Sequence, residues 1–292
     1  MAAMPIAPSN GIELCYETFG EPDDPTMLLV MGLGSQMIHW PDDFCAGLAA
    51  RGYQVVRFDN RDMGESTWFD GVGTAGVPAA IGGGDVAVPY VLSDMADDAV
   101  GLLDHLGTNR AHVLGVSMGG MIAQTIAIRH PARVASLTSV MSTTGDPDVG
   151  TPTSEAMSAL MAPPAATREA YQDAVVHHAH VWGSPGLFDE ERLRETAARA
   201  WDRGYNPAGT ARQVLAILSS GSRSADLAGL SVPTLVIHGT ADTLVQPSGG
   251  ERTAEVIPDA KLLVIDGMGH DLPPPLWPQI IDAVAGHASE HT

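Results

Sequence analysis

A serine hydroxyl attacks a carbonyl only when a base takes its proton and the chain presents it with little bulk nearby. Residues 112–124 read HVLGVSMGGMIAQ, with Ser117 between Gly115 and Gly119 where period-two apolar alternation gives way to helical spacing. The change of period predicts a sharp strand-to-helix turn at Ser117, and the two glycines supply the room such a bend needs. An idle serine on a tight turn would need no distant partners, whereas a nucleophile needs a histidine and a carboxylate. Both lie downstream: TLVIHGTADTLVQP carries Asp242 just beyond one apolar run, and LLVIDGMGHDLP carries His270 just beyond the next. If those runs are parallel strands, both residues fall on the carboxyl-end rim where ligands bind. The predicted triad is therefore Ser117, His270 and Asp242, with Asp242 holding His270 in the tautomer that accepts the serine proton.

Other residues compete for these roles. Asp266 and Asp271 share a short loop with His270, which places them poorly to buttress its ring from behind. Asp146 and Asp148 follow the run VASLTSVM, another position from which a carboxylate could reach the histidine. His238 sits inside an apolar run and reads as a packed core histidine. Attack on an ester creates an oxyanion that needs two preorganised N–H donors. Met118, directly after the nucleophile, is the first expected donor, and Leu33 is the second, because Gly32 and Gly34 let its backbone turn toward the site. Met31, Met141, Met157, Met161 and Trp182 are candidates to line an apolar pocket for a bulky group.

The elements that must position these residues follow from periodicity. TMLLVMG, YQVVRFDN, AHVLGV, VASLTSVMS, VPTLVIHG and KLLVIDG read as buried strands, and Ile12 to Phe19 as an edge strand. Helical stretches alternate with them, including SDMADDAVGLLDHLG with Ser93 as N-cap and Gly107 as stop. Repeated βαβ units predict an α/β fold with a mostly parallel sheet and helices on both faces. From 143 to 224 the pattern is helical alone, which predicts an inserted cap between core segments 1–142 and 225–292.

Composition excludes several classes. Asp plus Glu outnumber Lys plus Arg by 35 to 15 in 292 residues, a formal charge of −20 that repels nucleic acid and anionic membranes. No apolar run reaches membrane-span length, and MAAMPIAPSNG lacks the charge and apolar core of a leader, so a cytoplasmic protein is expected. Cys15 and Cys45 lack metal-ligand spacing and read as buried thiols. GVGTAG at 71–76 matches a dinucleotide pattern but neither follows a strand nor opens a helix, so it reads as a loop. His177, His178 and His180 lack the i, i+4 spacing that puts two metal ligands on one helix face.

The segments VMGLGSQMIHWPDDF, RFDNRDMGEST, GVSMGGMIAQ, VPTLVIHGTADTLVQP and IDGMGH together resemble the α/β-hydrolase fold family, in the same order and over nearly the whole chain. Within its serine esterase branch, the chain is most similar to actinobacterial esterases of the aclacinomycin methylesterase type, which cleave a methyl ester on a polyketide. That resemblance implies a carboxylesterase acting on a hydrophobic small-molecule ester or lactone, with no cofactor and no metal. Met31-Gly32 departs from the His-Gly that often opens the oxyanion loop in the family and leaves the substrate open. A serine at the elbow speaks against relatives that use aspartate there, the epoxide hydrolases and haloalkane dehalogenases. The same triad could serve a C–C bond hydrolase or lactonase, or stand idle in a ligand receptor.

Overall fold

Apolar runs too short for helices pair into one eight-stranded sheet in a computed structural model that describes residues 4–73, 76, 84 and 87–291. The loop expected at 71–76 falls partly outside those residues, as does the start of the N-terminal segment. The strands are β1 (Ile6–Ser9), β2 (Ile12–Phe19), β3 (Thr26–Val30), β4 (Gln54–Phe58), β5 (Ala111–Val116), β6 (Val134–Val140), β7 (Thr234–Gly239) and β8 (Lys261–Ile265). Their order is β1-β2-β4-β3-β5-β6-β7-β8, and β2 alone runs against the others. The expected edge strand, β2, is one place in from the edge. Asn10 and Gly11, both at positive φ, turn the chain back so that β1 covers it.

Strands β3, β5, β6 and β7 are buried along their whole lengths, as a sheet covered on both faces requires. Alternate residues feed two apolar layers. Leu28, Val30, Val56 and Phe58 pack with α2 (Leu92–His105) and α3 (Met118–Arg129), while Met27, Leu29 and Val55 pack with α1 (Asp42–Ala49) and α10 (Trp277–Ser289). The cap of α2 differs from the expected Ser93: the extended residue is Val91, and Asp94 reaches back to accept its N–H at 2.8 Å. A carboxylate in the first turn satisfies an orphan donor and complements the helix dipole, so it prevails over the serine. Gly107, at φ +70°, closes the helix as expected.

Between β6 and β7 the chain makes α4 (Ser154–Leu160), α5 (Arg168–Trp182), α6 (Glu190–Gly204), α7 (Pro207–Ser220) and the single turn α8 (Ser224–Leu227). The side chains of Thr153, Thr167, Asp189 and Asn206 each accept a first-turn amide, which is why the first four begin where they do. α9 (Ser248–Val256) then follows β7. α6 and α7 are bolted to the loop after β4 by ion pairs, the part-buried Arg203 to Asp59 at 2.8 Å and the buried Arg212 to Asp62 at 2.7 Å.

Candidate active site

Glycine sets the local backbone at the end of β5. A Cβ on Gly115 would lie 2.1 Å from the Gly119 carbonyl oxygen, and one on Gly119 would lie 2.0 Å from that of Val30. Both distances are below any real contact, so only glycine lets α3 start this close to β3 and β5. Ser117 takes φ +55° and ψ −122°, a conformation costly for a residue with a side chain and of the kind concentrated at functional sites. Its N–H donates to Val140 at 3.0 Å, and its carbonyl accepts the Ser142 hydroxyl at 2.7 Å and the Gly120 amide at 2.9 Å. The backbone is thus clamped on both sides while the hydroxyl projects from the bend.

That hydroxyl lies 2.9 Å from Nε2 of His270, whose Nδ1 lies 2.7 Å from a carboxylate oxygen of Asp242. An ionised carboxylate accepts only, so Nδ1 carries the proton and Nε2 presents its lone pair to Ser117. Asp242 is fully buried at its side chain. Its other oxygen accepts the amides of Leu244 at 2.9 Å and Val245 at 2.8 Å, so a tight turn after β7 fixes its position. Burial alone would raise this carboxyl, but the facing imidazoles of His270 and His238 outweigh it and hold Asp242 well below the usual carboxylate range.

The other acidic residues are engaged elsewhere. Asp146 and Asp148 pair with Arg252 at 2.8 and 3.1 Å, Asp266 accepts the Thr240 hydroxyl, and Asp271 accepts the Ser184 amide at 2.9 Å. His238 is buried as expected and bonds the Val245 carbonyl at 2.7 Å, but it also approaches Asp242 at 3.4 Å, a proximity that an apolar strand pattern does not reveal. Cys15 and Cys45 are buried free thiols, each pushed up to about 12, chiefly by desolvation. His178 stacks on Trp182 at 4.4 Å and His180 meets Phe188 edge-on at 4.8 Å.

The glycine-rich loop after β3 passes directly over Ser117. A Cβ on Gly32 would lie 3.3 Å from Ser117 Cβ and 3.8 Å from its hydroxyl oxygen. Leu33 follows on this loop, and Met118 opens α3, where the first-turn amides have no acceptor within the helix. Met31 and Met141 are buried beside the sheet, whereas Met157 on α4 and Met161 just after it are exposed. Trp182 ends α5, and its carbonyl accepts the His270 amide at 2.6 Å. The loop carrying His270 is therefore seated on the inserted helices, a link reinforced by the Gly269 amide donating to Ser184 Oγ at 2.9 Å. Ser184 carries no motif, and only its spatial neighbours mark it.

The sequence profile of the alpha/beta hydrolase fold family matches residues 25–273. Rhodomycin D methylesterase of Streptomyces sp. strain C5 is 28% identical to the chain over 303 residues, covering 96% of each. A putative carbamate hydrolase of Variovorax paradoxus is 30% identical over 264 residues, covering 88% of this chain and 89% of its own. Among solved structures, the enol-lactonase of Burkholderia xenovorans LB400 superposes with a TM-score of 0.75 at 25% identity, covering 98% of this chain and all of the other.

Proposed function

The chain belongs to the α/β-hydrolase fold family, and on that premise we propose that it is a serine hydrolase that cleaves a carboxylic ester of a hydrophobic small molecule through an acyl-enzyme. The observation that carries this reading is the continuous chain of contacts from Ser117 through His270 to Asp242. Ser117 attacks the carbonyl carbon while its proton passes to His270 Nε2, and the amides of Met118 and Leu33 hold the resulting oxyanion. Collapse of the tetrahedral intermediate expels the alcohol, which takes the proton back from His270. Water, deprotonated by the same nitrogen, then attacks the acyl group and releases the acid, restoring the serine hydroxyl. Asp242 stays ionised throughout and stabilises the imidazolium.

The methylesterase likeness over nearly both whole chains supports a methyl ester as the first substrate class to test. The enol-lactonase likeness supports a second reading, a lactone, which is the same bond closed into a ring. Residues 143–224 act as the cap that selects the substrate, with Met31, Met141, Met157, Met161 and Trp182 as its candidate apolar contacts. The test is turnover of p-nitrophenyl, methyl ester and lactone panels by wild type and Ser117→Ala. The variant is expected to lose ~10⁴-fold or more in kcat while its melting temperature is unchanged. Retained turnover would overturn the assignment of the nucleophile.

A further inference from the structure

Within the loop that passes over Ser117 the internal bonds are long, Ser35 donating from its amide to the Gly32 carbonyl and from its hydroxyl to the Leu33 carbonyl at 3.4 Å each. On its β4 side, the Asn60 amide group donates to the Met31 carbonyl at 2.9 Å. On the other side its partners come from the inserted helices. Gln213 of α7, fully buried, accepts the Gly34 N–H at 2.9 Å and donates to the Arg61 carbonyl at 3.0 Å. Gln36, also buried, donates to the carbonyls of Ala200 at 2.7 Å and Gly204 at 3.0 Å on α6 and accepts from Arg203 at 2.6 Å. Gly34 sits at φ +67°, and a Cβ there would lie 3.0 Å from Thr210 of α7. The Met31–Gly32 peptide is thus held by the core and the Leu33–Gly34 peptide by α7, so the intervening Gly32–Leu33 peptide, which carries the Leu33 N–H, is fixed through both of its neighbours.

We infer that Gln213 is a positioning residue of the oxyanion hole, so that the hole is complete only while α7 is seated on the core; this rests on the ester-hydrolase reading. A buried amide side chain with both ends bonded has one orientation, and it transfers that rigidity to the amide it binds. α7 is itself pinned: Arg212 bonds both Asp62 oxygens at 2.7 and 2.8 Å, and Asn206 Nδ2 donates to the Asp62 carbonyl at 3.0 Å. Gly209 lies so close to the same carbonyl that a Cβ would reach 2.4 Å. Lifting α7 withdraws Gln213 from Gly34, and the Leu33 amide loses its aim. The substrate-selecting insertion and the oxyanion hole therefore form one mechanical unit, and the site is disarmed when the insertion is displaced.

Misplacement of a catalytic donor by a fraction of an ångström to an ångström costs up to ~10²-fold in rate. Gln213→Leu is expected to lower kcat for p-nitrophenyl butyrate about 10- to 100-fold with little change in KM. It should weaken a trifluoromethyl ketone, whose adduct places an oxyanion in the hole, by the same factor. Gln213→Glu keeps the acceptor for Gly34 and should recover part of both losses. Amide hydrogen exchange of residues 31–37 should quicken in the leucine variant alone. The inference is overturned if Gln213→Leu melts lower yet keeps wild-type kcat and ketone affinity, or if neither the variants nor exchange of the loop differ from wild type. Wild type without Ser117-dependent turnover would instead overturn the ester-hydrolase reading itself. Should the leucine variant fail to fold, the glutamate variant carries the test through its ketone affinity relative to kcat.

Discussion

Two buried carboxylates do different work in this molecule. At the rim of the sheet, Asp242 faces two imidazoles and two backbone amides. At the seam with the inserted helices, Asp62 faces the full fork of Arg212 and the hydroxyl of Tyr90 at 2.7 Å. Both side chains are fully buried, and both are held below the usual carboxylate range against the desolvation that would raise them. The difference lies in the partner. A guanidinium is a permanent cation with planar bidentate geometry, suited to holding two elements together. An imidazole can be held in orientation and still exchange a proton at its far nitrogen, which suits a site where charge must move.

The largest effect expected from this contrast is at the rim. Asp242→Asn keeps the shape but, on the proposed mechanism, removes the charge that stabilises the imidazolium, so kcat should fall ~10⁴-fold with the fold intact. Steady-state kinetics beside a thermal melt checks this, and a loss of fold with activity retained in the folded fraction would make Asp242 a second seam. The seam responds in stability instead. Arg212→Met leaves Asp62 buried without its cation and should cost about 3–5 kcal/mol, read from denaturant unfolding. Pairing it with Asp62→Asn should recover part of that loss, and full additivity would show that the two side chains do not interact.

The smallest effect comes from a buried imidazole with no carboxylate partner. His112 lies near the start of β5, the strand that ends one residue before Ser117, and bonds the Ser136 hydroxyl at 2.9 Å. Burial, with nearby His287 and Arg110, pushes it from 6.5 down to about 4. The unfolded chain therefore takes up this proton at higher pH than the folded one. Between about 6.5 and 4 this group makes stability fall as pH falls, and below 4 its contribution is level. His112→Gln should flatten that part of the stability profile by roughly 3 kcal/mol between pH 7 and pH 4. An unchanged slope would place the titration on another group.

What could be read from the sequence divides along the same line. Ser117, Asp242 and His270 each follow an apolar run at a turn, so local pattern alone locates them, and the structure brings the three within hydrogen-bond reach. The alternation of strands and helices likewise gives the sheet, because burial on both faces leaves continuous apolar runs. The place of β2 one strand in from the edge is not legible, because β1 is only four residues long and leaves no periodic signal. The cap of α2 went to Val91 because the choice between neighbouring serine and aspartate depends on geometry at one turn. Gln213, Gln36, Arg203 and Arg212 were not legible at all. Gln213, Arg203 and Arg212 are ordinary polar residues on helices and Gln36 lies in a loop, and the partner of each lies more than 140 positions away along the chain. In the alternation of a helix, a buried glutamine and a solvated one look the same.

The ester-hydrolase reading requires Ser117 to be an activated nucleophile. Intact mass of wild type and Ser117→Ala after incubation with a fluorophosphonate tests it most directly. A single adduct on wild type, absent from the variant, is the predicted result, since a serine whose proton is taken by a base as it attacks displaces fluoride from phosphorus. A folded wild type that takes no adduct, or a variant that still takes one, would contradict it.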